Sequence, residues 1–231
     1  MSDRECQNAL FLSLSRKDRA LLLPHMEETA LGLRDVIEKS NTSIKHVYFP
    51  DSGIISVVAK SNQDQIEAGV IGREGMSGTA VVLGNHRSPN DVYVQVPGRG
   101  RRITAKDLRA AMEESNTLRR QLQLYAHVFM VQIAQTAFAN GKAQIEERLA
   151  RWLLMAHDRQ DDDDLHLTHE FIAVMLGVRR SGVTDALHAL EGAGFVRAGR
   201  GVVRITNRKG LVALARDIYG VPEAEYRRLI G

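Results

Sequence analysis

The sequence predicts an α+β protein: a compact antiparallel barrel or roll of short strands, then a long helix, then two short helices followed by a β-hairpin. Three observations carry this reading. Residues 43–104 break into short β-rich runs bounded by Gly, Pro, Asn and Asp. From Ala105 to about Asn140 there is no proline, and apolar residues recur at helical spacing. Beyond Thr168, two amphipathic stretches flank Gly177 and lead into a glycine-centred strand pattern.

The bulk properties narrow the class. A chain of 231 residues can hold one large domain or two modest ones, and 44% hydrophobic with 26% charged residues is the composition of a folded protein. No apolar run approaches the roughly 20 residues of a membrane span. The N-terminal stretch MSDRECQNALFLSLSRKDRALL lacks the apolar core and small-residue cleavage site of a secretory signal. Cys6 is the single cysteine, which excludes an internal disulfide and a cluster site built from several thiolates of one chain. The expectation is a cytoplasmic protein with no membrane partner.

Taken in order, residues 1–40 read as mixed helix and turn, with Leu10, Leu12 and Leu14 as an apolar patch and Leu21 to Leu23 before Pro24. The strand-like runs are IKHVYF, ending at Pro50, then GIISVVA, QIEAGVIG and VYVQVPG. GRGRR at 98–102 reads as a turn leading into a strand at Ile103. In the long helix, Leu118, Leu122, Tyr125 and Phe129 form a stripe that can cover the β-rich unit. A second stripe, Leu124, Val128, Val131 and Phe138, requires another partner. A second copy of the chain is one candidate, and burial on two sides within one chain is the other.

NGK at 140–142 ends this helix, and IEERLARWLLMA starts another, with Ile145, Leu149, Trp152 and Leu153 on one face. The run Asp161–Asp164 repels itself and predicts a solvated loop. His157, His166 and His169 flank it, but HLTHE is not the HExxH spacing that sets two imidazoles and a carboxylate on one helix, so no metal is expected.

The last third carries the functional signal. Thr168 is a fitting N-cap for HEFIAVML, and Gly177 follows that helix as a C-terminal glycine. A second helix runs from about Arg180 to Glu191, with Val183, Ala186, Leu187 and Leu190 on one side. This is a helix-turn-helix, whose second helix enters the major groove in DNA-binding proteins with its first residues toward base edges. Arg180 stands at that end, where its guanidinium can pair with guanine. FVRAGRGVVRIT then predicts a hairpin wing, placing Arg197, Arg200 and Arg204 near phosphates. Between Phe171 and Arg216 eight basic residues face only Asp185 and Glu191, a local excess of six positive charges. A solvated basic face would account for the charge, though not for its placement at the helix start and wing.

These residues resemble the Crp/Fnr superfamily of transcription regulators over nearly the whole chain. The resemblance rests on HVYFPDSGIISVVA and GVIGREGMSGTAVVLGNHRSP in the roll, the long helix, and LTHEFIAVMLGVRRSGVTDALHALEGAGFV, the most specific stretch. It implies a cyclic-nucleotide-binding-like roll at 1–112, a dimerisation helix at 113–140 and a winged helix-turn-helix DNA-binding domain at 141–231. It further implies a homodimer on a palindromic operator of double-stranded DNA, with RNA polymerase as a further partner. The residues it assigns to DNA are Thr168, His169, Arg179, Arg180, Ser181, Thr184, Asp185, Arg197 and Arg200.

The family's cyclic-nucleotide pocket uses a Gly-Glu pair for the ribose and an Arg-Ser pair for the phosphate. Arg87 and Ser88 match the second pair, but the first aligns with Gly75 and Met76, so the ribose carboxylate is missing. Pro89 follows where a free backbone N–H would stand. No cofactor is expected, and cyclic AMP is disfavoured. Base-contacting positions align with Arg180, Ser181 and Asp185, where the family's best-known member has arginine, glutamate and arginine. Asp185 can accept from cytosine N4, which implies a different sequence preference. Arg179 occupies the position of a capping serine. The competing reading is a nucleotide-sensing module that acts through a protein partner. No nucleophile–base pair or phosphate loop marks an enzyme.

Overall fold

The computed structural model describes residues 6–62 and 64–231. Two short helices open the chain, α1 (Ala9–Ser13) and α2 (Arg16–Leu22), capped by the side chains of Asn8 and Ser15. The roll follows as β1 (Glu27–Leu31), β2 (Val36–Glu38), β3 (His46–Pro50), β4 (Ile54–Lys60), β5 (Gln65–Ile71), the short α3 (Thr79–Val82), β6 (Asp91–Val96) and β7 (Gly98–Thr104). Its strands form two antiparallel sheets, β1-β7-β3 and β2-β6-β4-β5. Phe11, Phe49, Ile55, Val94, Ile103 and Leu108 are buried in the shared core.

Two stretches differ from expectation. Residues 27–38, read as helix and turn, supply β1 and β2. GRGRR, read as a turn, lies within β7, the central strand of its sheet. Its arginines find partners across the register: Arg102 opposes Glu27 and Arg101 opposes Glu28, and Arg102 Nε donates to Glu27 at 2.7 Å. The glycines permit close backbone approach. A Cβ on Gly98 would stand 2.2 Å from the Ser52 carbonyl oxygen, and one on Gly100 would stand 2.5 Å from that of Phe49. These partners are distant in sequence, so local pattern could not supply them.

The helical stretch after the roll is two helices, α4 (Ala105–Glu114) and α5 (Asn116–Lys142), rather than one. Ser115 makes the break: its hydroxyl accepts from Leu118 N at 3.3 Å and donates to the buried Asp18 carboxylate at 2.5 Å. Leu118, Leu122, Tyr125 and Phe129 are buried against the roll, as their spacing predicts. The second stripe divides. Leu124 packs at the edge of the same core, and Val128 is buried with only 6% exposure. Val128 faces a helix at the far end of the chain, so its place within the stripe is inside the protomer. Phe138 is half exposed.

The carboxy-terminal unit comprises α6 (Ile145–His157), β8 (Asp164–Leu165), α7 (His169–Leu176), α8 (Arg180–Gly192), β9 (Val196–Gly199), β10 (Val202–Ile205), α9 (Arg208–Ala215) and α10 (Val221–Leu229). A third sheet, β8-β10-β9, carries the hairpin. The acidic run is the exposed loop expected of it over 161–163, and only Asp164 enters a strand. Asp161 pairs with Arg73 at 2.5 Å, Asp163 with His157 at 2.8 Å, and Asp164 with Arg204. Arg73 and Arg204 offset part of the repulsion, and Arg204 holds Asp164 in its strand.

The unit's core joins Leu149, Leu153, Ile172, Val183, Leu187 and Leu211 to Ile54, Val70 and Val96 of the roll. At this junction Glu67 is fully buried. It accepts from Trp152 Nε1 at 2.6 Å and from the Ser56 hydroxyl, and burial pushes its carboxyl up to about 7. An acid whose folded pKa is raised contributes stability below its unfolded pKa and loses it as pH climbs through the folded one. Relative to Glu67→Gln, the wild type should therefore lose up to about 3 kcal/mol between pH 4.5 and pH 8, read from denaturant midpoints. Parallel stability profiles for the two proteins would show that the buried carboxyl does not titrate in this window.

Candidate nucleic-acid interface

Helices α7 and α8 and the hairpin present the polar surface that the sequence singled out. Thr168 caps α7 by accepting from Phe171 N at 3.3 Å. Gly177 ends the helix with φ +60°, which turns the chain toward α8. A Cβ there would lie 2.7 Å from Ile66 Cδ1, so the turn is seated on β5 of the roll. Ile172, Met175 and Leu176 of α7 meet Val183, Ala186, Leu187 and Leu190 of α8 in the core. The opposite side of α8 exposes Arg180, Ser181, Asp185 and His188. His188 was not singled out by the sequence reading, although it continues the line of Ser181 and Asp185 at helical spacing.

Not every predicted side chain is free. Arg180 Nη1 pairs with Glu170 of α7 at 2.7 Å, both groups being well exposed. His169 Nδ1 lies 3.1 Å from the Thr184 hydroxyl, which also donates to the Arg180 carbonyl. These two residues tie α7 to α8. Arg179 is the N-cap of α8, and no side chain caps that end. The first amides of α8 therefore face outward beside an exposed guanidinium.

On the hairpin, Gly201 with φ +74° turns β9 into β10. Arg197 and Arg200 are exposed and enter no ion pair among the described residues. Arg204, expected near phosphate with them, instead grips Asp164 with both nitrogens, at 2.6 and 2.5 Å. Its role is to hold β10 to β8. Arg208 is likewise occupied: it donates to Asp158 at 2.6 Å and to the Tyr219 hydroxyl at 2.8 Å. Four of the eight basic residues, Arg180, Arg204, Arg208 and Arg216, thus pair with carboxylates that lie outside the counted segment.

The residues aligned with the family's nucleotide pocket are separated by environment. Met76 is fully buried in the roll's core. Gly75 is pressed against α5, where an added Cβ would lie 2.1 Å from the Tyr125 hydroxyl oxygen. Arg87 is exposed on the loop before β6, paired through its backbone with Ser43, and Ser88 accepts from Asn90 N at 3.2 Å. Nearby, the buried Glu38 carboxylate accepts from Gly78 N at 2.7 Å at the start of α3. A buried carboxyl group of the protein thus takes up an amide at the start of this short helix. Of the histidines beside the acidic run, His157 contacts Asp163 and Arg208, while His166 is exposed.

The fold and this surface define a two-unit protein: a β-roll with a long helix, joined to a winged helix-turn-helix. Residues 147–214 match the Crp-like helix-turn-helix domain, and the chain as a whole has the Crp/Fnr fold. A transcriptional regulator of the Crp/Fnr family from Eubacterium rectale is similar at 18% identity and TM-score 0.70, over 90% of this chain and 98% of that one. FixK2 from Bradyrhizobium japonicum is similar at 17% identity and TM-score 0.68, over 83% and 98%. The c-di-GMP-responsive global regulator CLP of Xanthomonas campestris is similar at 14% identity and TM-score 0.65, over 83% and 99%. No curated protein matches the sequence. Among the described residues no helix is long and apolar enough to cross a membrane.

Gly177→Ala should destabilise the chain by about 1–2 kcal/mol, because an L side chain is strained in the left-handed region. The urea midpoint measures this. An unchanged midpoint would mean that the turn between α7 and α8 adopts another conformation.

Proposed function

We propose that the protein is a sequence-specific DNA-binding transcriptional regulator that works as a homodimer on a palindromic operator. The observation that carries this is the outward row of Arg180, Ser181, Asp185 and His188 on α8, set beside a hairpin with unpaired Arg197 and Arg200. A helix of this kind fits the major groove with its N-terminal residues at base edges. The uncapped amides of α8 and the Arg179 side chain suit a phosphate at the same end. Thr168 and His169 stand at the start of α7, the helix that crosses the DNA backbone in such complexes.

In this reading Glu170 shapes selectivity. It holds Arg180 in place, and a guanine must offer more than the carboxylate does to take the guanidinium away. Asp185 then favours a cytosine amino group and repels phosphate. The similar proteins include a c-di-GMP-responsive regulator, so likeness of fold does not carry one effector across the group. With Met76 buried and Arg87 on the surface, we propose that DNA binding does not depend on cyclic AMP in the roll.

The dimer is proposed to form along α5 through Met130, Ala134, Ala137 and Phe138, which are exposed, with Val131 half-buried beside them. Leu124 and Val128 leave the expected contact, since each is packed within its own protomer. A dimer of this kind places two copies of α8 for half-sites one DNA turn apart. Bound near a promoter, it would meet RNA polymerase.

Selection from a random duplex pool, without added nucleotide, tests the reading. An enriched palindrome is expected, and salt-sensitive background alone would overturn it. Arg180→Ala should cost about 1–3 kcal/mol on the selected site and relax one base position; an equal loss on all duplexes would remove it from base reading. Arg200→Ala should lower the slope of log K against log salt by about one, whereas Arg204→Ala should leave the slope intact. Phe138→Glu should convert dimer to monomer in sedimentation, and a persistent dimer would move the interface off this face of α5.

A further inference from the structure

A cavity of about 300 Å³ lies where the roll, α5 and the carboxy-terminal segment meet. That is the lower end of the range for small-molecule sites. One wall is aromatic: the rings of Tyr125 and Phe129 lie 6.4 Å apart between centroids and only 25° from parallel. Tyr219 and Tyr226 line it from the other side. Three basic and three acidic residues also line it, so the cavity offers no net charge to an occupant.

Its polar groups are unevenly satisfied. Arg159, 6% exposed, spends its guanidinium on Glu74 Oε1 at 2.7 to 2.9 Å and on the Met155 carbonyl at 2.7 Å. Glu74 Oε2 is buried and has no partner, and neither has the Tyr226 hydroxyl. A buried acceptor oxygen without a donor is costly, more so on a charged group. A molecule that donated to Glu74 while lying along the rings would remove that cost. Gly75, Met76, Arg87 and Ser88 do not line this cavity, although Glu74 directly precedes Gly75 and Tyr125 donates to the Met76 carbonyl at 3.2 Å.

We infer that this cavity is a binding site for a small uncharged aromatic molecule that carries a hydroxyl or N–H donor. The donor pairs with Glu74 Oε2, the ring lies against Tyr125 and Phe129, and the Tyr226 hydroxyl meets the ligand's polar atom. Because Glu74 precedes α5 while Arg159 and Tyr226 belong to the carboxy-terminal unit, an occupant touches both halves of the protein.

The test compares p-cresol with toluene, which share a ring and a methyl group but differ in the hydroxyl. Binding is followed by titrating the full chain with each probe while observing the methyl signals of Val128, which also faces the cavity. The expected result is saturable movement of those signals by p-cresol at millimolar concentration or below, about tenfold tighter than by toluene. Tyr226→Phe should weaken p-cresol several-fold and leave toluene unchanged, and Val128→Trp, which fills the space, should abolish both. Equal binding of the two probes would overturn the proposal. So would stationary Val128 signals, or p-cresol affinity unaltered by Tyr226→Phe. The Val128 signals and Tyr226→Phe decide the matter even if Val128→Trp does not fold. None of these readings requires DNA, so failure of the regulator reading and failure of this one are separately visible.

Discussion

The side chain of Gln132 does for β5 what a neighbouring strand would do. β5 is the edge of its sheet, and its outward backbone groups need partners. Gln132 accepts from Val70 N at 2.8 Å and donates to the Val70 carbonyl at 3.2 Å. A single amide on α5 thus closes the exposed edge and fixes the height of the long helix against the roll. Phe129, three residues earlier on the same helix, then packs over Gly69, where an added Cβ would lie 3.0 Å from its ring. With α5 held in this way, α6 reaches the same strand, where Trp152 donates to Glu67. Each unit of the protein is built against β5.

Much of this was legible in the residues, and what was not has a common cause. The core strands, the buried stripe of α5, the two helices around Gly177 and the hairpin follow from period, caps and turn glycines, all of which are local. The first five residues of β7 were read as a turn because Arg101 and Arg102 find Glu28 and Glu27 opposite them only in the folded sheet. The strand at Asp164 was missed because Arg204, distant in sequence, is what pairs with its carboxylate. The role of Val128 was open because its cover arrives from α10, near the other end of the chain. Helical spacing shows that a face is apolar but does not say what lies on it.

The candidate interface shows the same division. Exposure of Arg180, Ser181 and Asp185 could be read from the apolar residues on the opposite side of α8. Which arginines remain available could not, since that depends on carboxylates brought in by folding. Arg204 and Arg208 are structural cations here, whereas Arg197 and Arg200 have no ion-pair partner among the described residues. Counting charges along a segment therefore overstates the charge it offers to a polyanion. The paired cations secure the hairpin and α9 to β8 and the end of α6, and so support the surface that the other arginines occupy.

One consequence concerns how the chain is made. Tyr226 and Leu229 pack against the core of the roll, and Ile230 is buried within it. The roll leaves the ribosome before the winged unit, yet its packing is finished by residues synthesised after almost all of that unit. Until they arrive, apolar surface on α5 and the roll stays uncovered, and a nascent chain halted before α10 is a target for chaperones. The order of synthesis and the order of completion are reversed, so neither unit matures independently of the other.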